Sequence, residues 1–104
     1  METKANPERP AHILVIDDQV ENLQILTDIL ESNDYQVQTV NSGKLALGIA
    51  EQNPPDLVLL DIMMPEMDGY EVCRRLKDHP VLNRIPVIIV RGLTNKENKN
   101  GGFQ

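Results

Sequence analysis

Two short apolar runs in this chain end in acids, and those acids carry the chemistry. Ile13-Leu14-Val15-Ile16 runs directly into Asp17-Asp18, and Leu57-Val58-Leu59-Leu60 runs into Asp61. Unbroken apolar runs of this length fit strands covered on both faces, as in a parallel sheet. All carboxyl ends of a parallel sheet lie on one edge, where ligands bind at the point of strand-order reversal. If the two runs are neighbouring strands, the three carboxylates converge. Three close negative charges do not all stay ionised without help, so either a pKa rises or a cation binds. Oxygen-only ligands favour Mg²⁺, which keeps several waters and accepts phosphate oxygens. The pattern therefore suggests a metal-assisted phosphoryl site with one Asp as acceptor. An Asp at a strand end also caps the next helix, and for Asp17 and Asp18 alone that is the commoner role. An equivalent acid at Asp61 moves the balance toward a site.

The elements that must position these acids follow from patterning. Val20, Leu23, Leu26 and Leu30, widened by Ile25 and Ile29, predict a helix after the first strand, broken at Ser32-Asn33-Asp34. Tyr35 to Val40 alternates, with Tyr35, Val37 and Thr39 on one side, and reads as an edge strand. Asn41-Ser42-Gly43 starts a helix with a short face of Leu45, Ala46, Ile49 and Ala50, and Asn53-Pro54-Pro55 stops it. After Asp61 comes a loop to Gly69, then a helix carrying Val72, Cys73 and Leu76 that ends at His79-Pro80. Val87-Ile88-Ile89-Val90 is a further apolar strand, and Thr94 with Glu97 fits a capping box for one more short helix. Strand and helix alternate throughout, which predicts an α/β layer fold with a parallel sheet and right-handed crossovers.

Composition narrows the function classes. The chain has 104 residues, one domain's worth, and a net charge of −6 that disfavours a phosphate backbone as partner, so no nucleic acid is expected. Two tyrosines and one phenylalanine leave an aliphatic core. One cysteine, Cys73, excludes an internal disulfide and reads as a small core residue. No run approaches the ~18 apolar residues of a membrane span, and no signal segment is recognisable, so a cytoplasmic protein without membrane contact is expected. Residues 1–11 read as a flexible leader and residues 12–104 as the domain. His12 and His79 are expected to be surface polar residues.

The segment Asp61-Ile62-Met63-Met64-Pro65-Glu66-Met67-Asp68-Gly69, with Asp17-Asp18 after the first strand, resembles the receiver domain of two-component response regulators. The resemblance runs from about His12 to Thr94 and implies an α/β, flavodoxin-like, doubly wound parallel sheet with strand order 2-1-3-4. The proline fixes φ and the glycine permits a positive φ, so both shape the loop beside the acceptor. The resemblance implies that Asp61 is the phosphoacceptor and that a sensor histidine kinase is the donor. It implies that Asp17, Asp18, Asp61 and the backbone carbonyl of Met63 hold Mg²⁺. Asp68 reads as a solvated loop residue, and the three loop methionines as packing.

The chain also departs from that family. A Thr or Ser normally follows the fourth strand, where this sequence has Arg91. A lysine normally ends a fifth strand, whereas here fourteen residues follow Val90, which predicts a truncated receiver lacking the fifth strand and last helix. The guanidinium of Arg91 is a candidate phosphate contact in place of the lysine, against the alternative that it faces solvent or pairs with an acid. The fourth strand would then present an apolar edge, which invites self-association. Two functions compete on these grounds: an atypical, Mg²⁺-dependent receiver that is not a turnover enzyme, and a phosphorylation-independent interaction or dimerisation module on a degenerate receiver fold. An aspartate-nucleophile phosphohydrolase is disfavoured, because those enzymes carry an Asp-x-Asp pair after the first strand and this chain has Asp17-Asp18-Gln19-Val20.

Overall fold

A computed structural model of the chain describes residues 10–61 and 69–90. The described elements are β1 (His12–Ile16), α1 (Val20–Ser32), β2 (Gln36–Val40), α2 (Gly43–Gln52), β3 (Leu57–Asp61), α3 (Gly69–Asp78), a single 3-10 turn (Leu82–Arg84) and β4 (Val87–Val90). The strands form one parallel sheet, as the alternation predicts, in the order β2-β1-β3-β4 that the resemblance implies.

Side chains on successive strand residues point to opposite faces, and the two faces are filled by different helices. Leu14, Ile16, Val58 and Leu60 pack with Ala46 and Ala50 of α2 and Val72 and Leu76 of α3. Ile13, Val15 and Leu59 face the other way, against Leu23, Leu26 and Leu30 of α1. β1 and β3 are thus covered twice, which is why their sequences are apolar without interruption. Removing a side chain such as Leu60 from water contributes roughly 1.5–3 kcal/mol.

Helix ends follow local chemistry. Ser42 caps α2, its hydroxyl accepting the Leu45 amide at 3.5 Å. The turn after α1 places Asp34 at a φ of 69°, in the left-handed region. Gln19 is the N-cap of α1 and makes no side-chain cap hydrogen bond, so neither Asp17 nor Asp18 occupies the N-cap position that their strand-end placement allows.

Several details differ from the patterning. The apolar stripe of α1 is narrower than expected: Val20, Ile25 and Ile29 are exposed, as is Leu45 on α2. β4 is the outer strand among the described residues, and Ile88 and Ile89 are 50% and 37% exposed. His12 is buried, because β1 begins there inside the sheet. Its amide donates to Asp56 Oδ2 at 2.7 Å, and its carbonyl accepts the Asp56 amide at 2.7 Å, so the amino ends of β1 and β3 are tied reciprocally. His79 is also engaged. Its Nδ1 accepts the amides of Val81 and Leu82, and its Nε2 lies 3.0 Å from Glu51 Oε2 on α2. The leader (except residues 10 and 11), the loop 62–68 with Asp68, and the Thr94/Glu97 capping box lie outside the described residues.

Candidate functional site

The register brings the acids together. Ile16 pairs with Leu60 and Asp61 with Val90. Asp17, the residue after Ile16, therefore emerges beside Asp61 at the carboxyl edge of the sheet, and Asp18 follows it at the mouth of α1. One carboxylate oxygen from each of Asp17, Asp18 and Asp61 lies within 4.8 Å of the others. Asp17 is 2% exposed and Asp61 3% exposed. A shallow open depression lined by Asp18, Gln19, Val20, Glu21, Gln24 and Ile25 adjoins them.

Asp17 is held on both oxygens. The Gln19 amide donates to Oδ1 at 2.9 Å, and the Asn22 side chain donates to Oδ2 at 2.8 Å. Burial pushes the Asp17 carboxyl above the usual carboxylate range. The Gln19 and Asn22 hydrogen bonds pull it back, while the charge of Asp61 and a hydrogen bond shared with it push it up again.

Asp18 Oδ1 is buried and has no hydrogen-bond partner among the described residues. An acceptor left bare among acids is costly unless a cation or donor meets it. An all-oxygen set with an unmatched carboxylate oxygen fits a hard divalent cation such as Mg²⁺. The acidic triad is thus consistent with a Mg²⁺ site. Met63 and Arg91, the remaining residues expected at the site, lie outside the described residues.

Asn22 was not among the expected site residues. Its signal was available in the sequence. It stands four residues before Leu26 and eight before Leu30, so a polar side chain interrupts the apolar stripe of α1, five residues after Asp17.

Comparison with known proteins agrees with this geometry. Residues 13–104 match the family model described as the response regulator receiver domain. The response regulator PleD of Caulobacter vibrioides is 42% identical over 94 residues, covering 90% of this chain and 21% of PleD. The chain therefore spans about a fifth of that relative's length. The N-terminal domain of a response regulator receiver protein from Methanoculleus marisnigri superposes with a TM-score of 0.75 at 39% identity, covering 88% of this chain and 76% of that one. The receiver domain of a sensor histidine kinase from Pseudomonas aeruginosa superposes with a TM-score of 0.76 at 26% identity, covering 88% of this chain and 75% of that one. That domain was solved with a magnesium ion coordinated in its active-site cleft.

Proposed function

Because the chain belongs to the response regulator receiver domain family, we propose that it accepts a phosphoryl group on Asp61 in a two-component signalling system. The observation that carries this reading is the convergence of Asp17, Asp18 and Asp61 within 4.8 Å, with an unmatched oxygen on Asp18. A carboxylate oxygen of Asp61 attacks phosphorus in line with the leaving group. With a phosphohistidine of a sensor kinase as donor, the N–P bond breaks and an O–P bond forms. The imidazole nitrogen keeps the bonding electron pair and takes up a proton.

Asp17, Asp18 and Asp61 are the described residues that would hold Mg²⁺. When bound, the ion supplies positive charge that offsets repulsion between phosphoryl oxygens and carboxylates. The carbonyl of Met63 as a further metal ligand and the guanidinium of Arg91 as a phosphate contact complete the reading. Phosphorylation is a modification of the chain itself, so the reading is of a signal acceptor and not a turnover enzyme. No helix among the described residues is long and apolar enough to cross a membrane.

Intact-mass spectrometry after treatment with acetyl phosphate and Mg²⁺ tests the proposal. A phosphoryl adduct that disappears in Asp61→Asn is the expected result. Absence of the adduct, or its persistence in Asp61→Asn, overturns it.

The exposure of Ile88 and Ile89 on β4 favours a second reading, an interaction module that pairs this strand with a second copy. Sedimentation across a wide concentration range separates the two. A mass that stays monomeric throughout removes the second reading.

A further inference from the structure

Asn22 is the one fully buried residue of α1, at 1% exposure. Packing of this helix on the sheet is already carried by Leu23, Leu26 and Leu30. A buried amide destabilises a helix–sheet contact unless its hydrogen-bonding groups are matched, and an apolar side chain of the same size would pack without that cost. Only half of the amide is matched. Its Nδ2 donates to Asp17 Oδ2 at 2.8 Å, while its Oδ1 is buried without a partner among the described residues. Reversing the amide would set Oδ1 against a carboxylate oxygen, so the orientation is fixed by the acid and not by the core.

Gln19 and Asn22 donate to different oxygens of Asp17: the Gln19 backbone to Oδ1 and the Asn22 side chain to Oδ2. Together they fix the rotation of the carboxylate plane. A carboxylate oxygen that accepts one hydrogen bond keeps capacity for a further partner. We propose that Asn22 is a positioning residue for the divalent cation, holding the Asp17 carboxylate in the one orientation that presents an oxygen beside Asp18 and Asp61. This rests on the reading of the acid triad as a cation site and adds the residue that arranges it. Asn22 does not itself ligate the ion. It acts as the outer partner of a ligating carboxylate, and loss of such a partner typically weakens metal affinity about 10–100-fold.

The test is calorimetric titration of the whole chain and of Asn22→Leu with Mg²⁺, with folding of each checked by circular dichroism. Affinity reduced about 10–100-fold in a folded Asn22→Leu is the expected result. The unaltered chain provides a second, variant-free measurement by NMR. The side-chain amide of Asn22 should shift during the Mg²⁺ titration with the same midpoint as the backbone amide of Gln19. Unchanged affinity in Asn22→Leu, or an Asn22 amide that does not respond, overturns the role of Asn22 while leaving the cation site standing. Absence of Mg²⁺ binding by the unaltered chain removes the cation site and this role together.

Discussion

Replacing Asp61 with asparagine should stabilise the protein when no divalent cation is present. The side chain keeps its size and loses its charge. Its carboxylate lies in a triad whose nearest oxygens are within 4.8 Å of one another. Two unit charges at that separation repel by about 3.5 kcal/mol at an effective dielectric near 20. The full figure is not recovered, because burial already pushes Asp17 toward its protonated form and so removes part of the repulsion. A gain of about 1–3 kcal/mol is expected, and each kcal/mol raises the melting temperature of a chain this size by about 4–8 °C. Added Mg²⁺ should reverse the advantage. A ligand that binds only the native state stabilises it by about 2.7 kcal/mol at one hundred times its dissociation constant. The variant has lost a charged ligand and should gain far less. Urea unfolding followed by circular dichroism, in EDTA and in saturating MgCl₂, measures both effects. An Asp61→Asn protein less stable than the parent in EDTA, or with an undiminished Mg²⁺ response, would refute the electrostatic account of the site.

Two further outcomes follow from single positions. Asp17 has a raised pKa in the folded state, so in EDTA the native form keeps a proton that the unfolded form has released. Its stabilising contribution is therefore complete below the ordinary value of 3.8 and is lost as pH rises through the folded-state value. The stability of Asp17→Asn relative to the parent should accordingly grow as pH rises above the ordinary carboxylate value of 3.8, and urea midpoints that keep a constant difference would contradict this. At the turn after α1, Asp34 holds a φ of 69° that glycine adopts without steric cost. Asp34→Gly should stabilise by about 0.5 kcal/mol after the extra freedom of glycine in the unfolded chain is discounted, and a lowered melting temperature would count against it.

How much of this was legible in the sequence depended on how local the cause was. β1 and β3 were readable because a strand covered on both faces must be apolar at every position, and Ile13–Ile16 and Leu57–Leu60 are. The meeting of Asp17, Asp18 and Asp61 followed from strand ends sharing one edge. The stripe of α1 was overdrawn because periodicity marks where apolar residues stand and not how far the sheet reaches: Ile25 and Ile29 lie beyond its cover. β4 has the composition of a central strand, yet Ile88 and Ile89 are exposed. Asn22 broke the helical pattern in plain view, but its meaning depends on Asp17 across one turn of structure. The pairing of His12 with Asp56 spans forty-four residues and left no local trace.

That pairing gives the sheet two unequal ends. At the amino ends of β1 and β3, paired bonds of 2.7 Å join His12 and Asp56. At the carboxyl ends, like charges crowd together. Partial opening of the sheet therefore costs least from the acid edge, and amide hydrogens at the end of β1 should exchange with solvent through smaller fluctuations than those at its start. Binding a cation would then slow exchange at one end of the strands and leave the other almost unaltered. On the proposed reading, the phosphoryl group would enter at the end where like charges crowd, opposite the end where His12 and Asp56 hold the strands in register.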